Sequence, residues 1–558
     1  MTEHTAGGGQ PGTAVEQKHS PWLVLATLCL GFFMILLDTT IVNVAIPSLS
    51  EGLGASLSEI LWILNAYILV YAVLLITAGR LGDLYGPKLL FLSGLVIFTA
   101  ASVACGFAQS PTQLIIFRII QGLGGALLTP QTLSVITMIF PPDRRGAAFG
   151  VWGAIAGVAT LAGPVLGGWL VTNFGWRWIF FVNLPVGIVA LVMATIVMPN
   201  IKLNRRHRLD LGGVVLSTAA LFLITFGLIE GQSYHWGKVW GPVTIVEIIV
   251  AGTVLLAVFL WLQYAERNGE PLIPFSIFAD RNFSIMNFVV MSIAFGMFGM
   301  FLPLTIFLQS VLGLSALQAG LTFAPMSLIS MFVAPFAGRL ADRAGKWILF
   351  AGMSLFATGM GLVIASSRLG MSRWHLLPAL IVAGFGLGMT FAPLQTVAMR
   401  NVVPRMAGAA SGVINTTRQM GGVVGSAAVG ALLQAQLAAK LKASAVTHIA
   451  QLPPSVPAPL KAGVLSGFSH ASGDLQVGAG QNGISMAWVP APFRGVVQQL
   501  VKTIFDEGYT NSMRVTLWLP IVVMGVAALT VLLVKGRRKT LAADQDAGAR
   551  EDAVVAGH

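Results

Sequence analysis

Gly79 opens the string GRLGDLYGPK, and Gly338 opens a second version of it, GRLADRAGK. Each copy follows one long apolar stretch and precedes another, so each reads as a short charged turn between two membrane helices. Its recurrence makes the second half of the chain a rebuilt version of the first. Repeats of that kind put a ligand site between the halves. Composition supports the setting: of 558 residues, 56% are hydrophobic and only 10% charged. A water-soluble surface needs more polar groups than that, so the bilayer is the expected solvent. Backbone groups in lipid must pair within their own segment, and the long apolar runs therefore read as helices.

Fourteen such runs are long enough for a core of about 30 Å. They lie near 22–48, 59–79, 88–108, 112–139, 147–170, 176–198, 211–230, 242–263, 283–309, 317–338, 347–366, 374–397, 406–437 and 513–535. The first, from Trp22, is too long for a signal peptide and reads as a permanent span. Lys and Arg crowd alternate loops, among them Arg80, Lys88, Arg144, Arg145, Lys202, Arg205, Arg267, Arg339, Arg343 and Arg405. The intervening short loops hold only Arg177, Lys238, Arg368 and Arg373. That asymmetry places both termini in the cytoplasm of a multi-pass protein of the cell inner membrane. The net charge of +12 is thus a topology signal rather than a sign of nucleic-acid binding. Cys29 and Cys105 both lie inside apolar runs, which argues against a disulfide framework, and no metal-ligand spacing occurs.

The expected organisation follows. Residues 1–21 form a polar, Gly-rich cytoplasmic tail, read as disordered, and 22–198 an N-terminal six-helix bundle. Residues 199–282 hold two extra spans with cytoplasmic linkers, 283–535 a C-terminal six-helix bundle, and 536–558 a second tail. Within the second bundle, 438–512 reads as a long extracellular loop, a partly ordered cap rich in Ala, Pro, Gly and Ser with an apolar patch at Met486–Phe493. Without the two extra helices the chain divides six plus six, and both charged turns fall between the second and third helix of their half.

The turn has a mechanical logic. Gly79 and Gly86 allow a tight reversal and close helix approach. Asp83 can accept hydrogen bonds from free amides at a neighbouring helix start, where the dipole favours an anion. Arg80 and Lys88 can pair with Asp83 or with lipid phosphate. Such a cluster can latch two bundles together on the cytoplasmic side, with Gly338, Arg339, Asp342, Arg343 and Gly345 as its second copy.

At these residues the resemblance becomes specific. The two turns resemble the signature loops of the major facilitator superfamily, and LDTTIVNVAIP (Leu37–Pro47) resembles the first-helix signature of its fourteen-helix drug:proton antiporters. RIIQGLGGA (Arg118–Ala126) and GPVLGG (Gly163–Gly168) are similar to the fourth-helix motif and the fifth-helix antiporter motif. WRWIFFVNLPVG, LQSVLGLSALQAG and SGVINTTRQMGG also resemble strings of that family. Leu84 and Pro87 stand where the family's first turn usually has basic residues, which implies a weaker latch, and Ala159 stands where glycine is common. The implied fold is an all-α membrane protein of the major facilitator type, two six-helix bundles plus two extra central helices. The fifth-helix glycines (Gly157, Gly163, Gly167 and Gly168, with a bend at Pro164) would form a pliable, leak-tight interface between halves.

Depth arithmetic adds an independent argument. At 1.5 Å per residue, Asp38 lies roughly 24 Å into the first helix from the inside, and Arg118 roughly 9 Å into the fourth from the outside. In a core of about 30 Å these depths nearly coincide. Ionisable groups so placed mark a proton or ion path. Desolvation favours the neutral acid and a neighbouring guanidinium favours the carboxylate, so bundle movement could couple proton binding to conformation. A static structural ion pair is the alternative. Asn43, Gln121, Gln309, Asn415 and Arg418 are further polar groups placed to line a substrate cavity, and Arg418 needs a counter-charge or carbonyl partners.

These readings converge on a proton-driven exporter of small amphipathic, often cationic, drug-like compounds. The proton gradient serves as energy source, without cofactor or metal; the protein reads as a monomer, with an accessory protein possible. The alternatives are a proton-driven exporter of lipids or an endogenous amphipathic metabolite, and a membrane enzyme or sensor using the long outer loop. The chain carries no GxSxG, Walker-type or HExxH string to support an enzyme.

Overall fold

In the computed structural model, the described residues are 19–535 except 56, 142, 202–209, 232–233, 235, 266–271, 404–405, 451–456, 471–488 and 491–492. Both tails, several basic linker residues (Lys202, Arg205, Arg267 and Arg405) and most of the Met486–Phe493 patch lie outside them.

The first half runs α1 (Pro21–Val44), α2 (Ile46–Leu53), α3 (Leu57–Tyr85), α4 (Pro87–Phe107), α5 (Pro111–Ile139), α6 (Arg145–Phe174), α7 (Trp178–Phe181) and α8 (Asn183–Val197). Next come α9 (Leu211–Glu230), a two-stranded hairpin of β1 (Lys238–Trp240) and β2 (Val243–Thr244), and α10 (Ile245–Ala265). The second half contains α11 (Arg281–Ile306), α12 (Ala316–Thr322), α13 (Ala324–Ser366), α14 (Leu377–Gly388), α15 (Phe391–Ala398), α16 (Ala407–Ala450), α17 (Ala458–His470), α18 (Arg494–Thr516) and α19 (Trp518–Val531).

Helix starts are set locally. Ser110 accepts from Gln113 N at 3.3 Å ahead of α5, Asp210 from Gly213 N at 2.7 Å ahead of α9, and Asp280 from Asn282 N at 2.7 Å ahead of α11. These side chains satisfy amides that have no partner inside the helix. Among the described residues twelve helices are long and apolar enough to cross a membrane, which makes this a multi-pass membrane protein. Each of the fourteen predicted runs falls on helix. One of the twelve helices, α13, contains two of those runs, and α6 carries the fifth as a helix of 30 residues.

Two expectations need correction. Much of 438–512 is helix rather than open loop, because α16 continues to Ala450, α17 occupies Ala458–His470 and α18 already begins at Arg494. LLQAQLAAKLKASA is too polar for a span, yet its Ala, Leu, Gln and Lys are strong helix formers, so the helix runs on past the apolar part. The second charged string is a turn as expected: α13 is two helices joined across Ala344 (φ −128°, ψ 22°). The chain reverses there, since Met326 before it and Gly359 after it both lie against α14, at Gly384 and Ala383, whereas Gly86 ends the first copy with φ +92°. Pro87 follows Gly86 and has no N–H to continue a helix; Lys346 has one. Finally, the first run breaks at Ala45, after which α2 starts.

Across the halves, α3 packs on α16 and α6 on α13. The added α9 lies against both α3 and α16, with Trp62 and Phe226 rings 6.0 Å apart and Thr225 near Met420 Sδ at 4.0 Å. Gln263 of α10 donates to Asp210 at 2.6 Å and accepts from Ile273 N at 3.1 Å, tying the start of α9 to the end of α10.

Candidate functional site

Asp38 sits three-quarters of the way along α1 and is wholly buried. Its Oδ2 receives Arg118 Nη1 of α5 at 2.5 Å, and its Oδ1 receives Gln121 Nε2 at 2.8 Å and Asn183 Nδ2 at 3.3 Å. Arg118 is equally enclosed. It also donates to Gln121 Oε1 at 2.8 Å and to the Ile63 carbonyl at 3.2 Å, and its guanidinium lies 4.2 Å from the Tyr67 ring centroid. Ser102 accepts from Asn183 at 3.0 Å and donates to the Phe180 carbonyl at 2.9 Å, which fixes the asparagine. A buried ion pair is tolerable only with its remaining donors and acceptors satisfied, and this cage supplies them.

The depth match between Asp38 and Arg118 therefore ends in direct contact. Gln121 is misassigned to the substrate cavity: three residues beyond Arg118 on the same helix face, it is spent on the ion pair. Asn183, Tyr67 and Ser102 went unnoticed in the sequence. Asn183 had a signal, as a lone amide in the apolar run IFFVNLPVG.

The second assembly joins the halves at the Gly86 end. Both oxygens of Asp83 accept backbone amides at the start of α16, Gly408 N and Ala409 N, each at 2.8 Å. That is the anion at a foreign helix start expected from the turn, and it crosses from first half to second. Gly79 is forced by proximity, because a Cβ there would collide with the Gly408 carbonyl oxygen. Arg80 is buried next to Asp83. Lys88 departs from expectation, donating instead to the Thr195 and Met198 carbonyls, both at 2.7 Å, where the end of α8 presents unpaired oxygens.

The second copy mirrors this crossing. A Cβ at Gly146 of α6 would collide with the Gly338 carbonyl oxygen and come within 2.8 Å of Asp342 Oδ2. Arg145, next to it, feels the Asp342 charge. Gly345 is buried in α13 against Val397, while Arg339 and Arg343 are exposed.

The α6 glycines serve two faces rather than one. Gly150 and Gly157 would bring a Cβ within 2.9 Å of the Ala334 and Ser327 carbonyls of α13, and Gly168 lies near Leu317. Gly163 and Gly167 lie on the other side, against Thr40 and Ile41 of α1. Thr40 also reaches the Ala159 carbonyl at 3.5 Å. Pro164 is within this helix, but its side chain lies outside the described residues. The remaining cavity candidates are scattered. Asn43 is exposed and bonded to Thr39 O, Gln309 is exposed beyond the end of α11, and Asn415 is buried and bonded to Ser411 O. Arg418 is half-buried, and its Nε is buried without a hydrogen-bond partner.

An all-helical membrane protein whose two halves meet through paired glycine contacts, with an ion pair enclosed in one of them, is built like a transporter. The chain belongs to the Major Facilitator Superfamily, whose profile matches residues 28–426. It is 34% identical over 440 residues to the tetracenomycin C resistance and export protein of Streptomyces glaucescens, covering 78% of each chain. It is 33% identical over 518 residues to multidrug resistance protein Stp of Mycobacterium tuberculosis, covering 92% of this chain and 91% of that one. The crystal structure of the human organic anion transporter MFSD10 superposes with a TM-score of 0.56 over 91% of this chain and all of that one; at 13% identity this likeness concerns the fold alone.

Proposed function

We propose that this protein is a proton-coupled exporter of drug-like or antibiotic compounds, a fourteen-span drug:proton antiporter with both termini in the cytoplasm. The observation that carries the reading is the cage around Asp38: three side-chain donors on a buried carboxylate, one of them a guanidinium. Proton binding requires Arg118 to withdraw, and its alternative acceptors, Gln121 Oε1 and the Ile63 carbonyl, are already in reach. Protonation thereby loosens α1 from α5.

Helix α6 can carry that change across the molecule. Its Gly163 and Gly167 seat α1, and its Gly146, Gly150 and Gly157 seat α13 of the other half. A shift of α1 is transmitted through one continuous helix to the inter-half contact. The contacts at Asp83 and Asp342 lie at the proposed cytoplasmic end, so the structure corresponds to a state closed there. The export named for the Streptomyces glaucescens relative supports the direction of transport.

The test is Asp38→Asn in everted vesicles. Its uncharged amide cannot exchange a proton, and gradient-driven efflux is expected to vanish while substrate binding persists. Efflux by that variant that still collapses with the proton gradient sinks the assignment.

A further inference from the structure

Arg418 is the charge that the proposed mechanism does not use. It lies eleven residues into α16, roughly 17 Å from the helix start and too deep to reach either membrane surface easily. Its Nε is buried without a hydrogen-bond partner, and Arg418 forms no ion pair among the described residues. Nor does its own half offer one at that depth. Between Arg281 and Phe505 the chain has only two acidic residues, Asp342 at the α13 kink and Asp474 outside the described residues. In the first half, Asp38 is committed to Arg118, while Glu59 and Glu230 sit at the far ends of α3 and α9.

The direction of this face is set by its neighbours. Ser411, Asn415, Arg418 and Gly422 follow at helical spacing of three and four, so they share one face of α16. At its lower end Ser411 Oγ donates to the Pro130 carbonyl of α5 at 2.8 Å, which turns the face toward the first half. One turn beyond Arg418, the ring of Phe298 comes within 2.9 Å of where a Cβ on Gly422 would lie, and Phe298 is itself 50% exposed. An aromatic ring of α11, from the same half, thus lies one turn beyond the uncompensated guanidinium.

We propose that Arg418 is a specificity-determining residue that binds the acidic group, carboxylate or ionised phenol, of an aromatic amphipathic substrate. The substrate's anion supplies the counter-charge that the protein withholds, and planar oxyanions suit the guanidinium fork. A cationic substrate would meet like charge at the same place. The inference rests on the exporter reading for its physiological meaning, but its test is a binding measurement.

The purified full chain in lipid nanodiscs is titrated with 2-naphthoate, 2-naphthamide and 2-naphthylmethylammonium, which share one ring system and differ in charge; empty nanodiscs correct for partition. The wild type is expected to bind the carboxylate about tenfold or more tighter than the amide, the value of a charge-assisted hydrogen bond. Arg418→Gln should bring the ratio to about one, and Arg418→Lys should leave it reduced but above one. A wild-type ratio near one, or the same ratio in Arg418→Gln, overturns the proposal. If Arg418→Gln does not elute and melt as a folded protein, Arg418→Lys decides, because an unchanged ratio there overturns it equally. Ethidium efflux from everted vesicles judges the exporter reading separately. Efflux without the ratio removes only this inference; the ratio without gradient-driven transport of any compound removes only the exporter reading.

Discussion

At Gly79–Lys88 the chain reverses direction: α3 ends at Tyr85, Gly86 takes a φ of +92°, and α4 starts on Pro87. At Gly338–Lys346 a related string also reverses the chain, but the break is confined to Ala344 (φ −128°, ψ 22°) and no residue there takes a positive φ. The first copy buries Arg80 and encloses Asp83 between two backbone amides of α16. The second leaves Arg339 and Arg343 exposed and Asp342 half-buried against Gly146 and Arg145. What the two share is the close approach of glycine to a helix start in the opposite half. The acidic residue and the glycine four positions before it make the crossing. The residues that follow decide the form of the turn: Gly86 and Pro87 end the first helix with a positive φ, whereas at the second copy only Ala344 leaves helical geometry.

The halves differ in buried charge as well, and the largest expected effect lies there. Asp38→Ala strands Arg118 in an enclosed site, which costs about 3–5 kcal/mol. Arg418, already without a carboxylate partner, should cost far less when replaced by Met. Thermal melting of the two variants in one detergent compares them, and equal losses would break the contrast. Next in size is the latch. Asp83→Ala leaves two buried amides unpaired at about 1–3 kcal/mol, and should raise labelling of a cysteine near that end of the molecule about tenfold or more. Asp342→Ala should raise it less. Labelling that rises more for Asp342→Ala would show the second copy to be the tighter latch. The smallest effect separates the two glycines. Gly86→Ala forces a side chain into left-handed backbone at about 1–2 kcal/mol, whereas Gly345→Ala meets only Val397 Cγ2 at 3.1 Å and should cost less. Matched melting temperatures for the pair would mean that the backbone at Gly86 readily adjusts.

Much of this was legible before any coordinates. Every apolar run fell on helix, because in lipid an unpaired backbone has no alternative to the helix. Rise per residue alone brought Asp38 level with Arg118, since a straight helix converts sequence distance into depth. The capture of Asp83 by a helix start also followed from its charge and place. Less legible were the ends of α16 and α18, where good helix formers carry the helix past its apolar part.

The sequence by itself determined the membrane helices, the repeat and the depth of the charged groups, because hydrophobic length and helical rise are local properties. Only the tertiary structure decided which donors surround Asp38, that Gln121 belongs to the ion pair, that Lys88 caps α8, and that Gly157 and Gly163 face opposite neighbours. Such partners come from helices up to hundreds of residues apart, and rotation about each helix axis is set by packing.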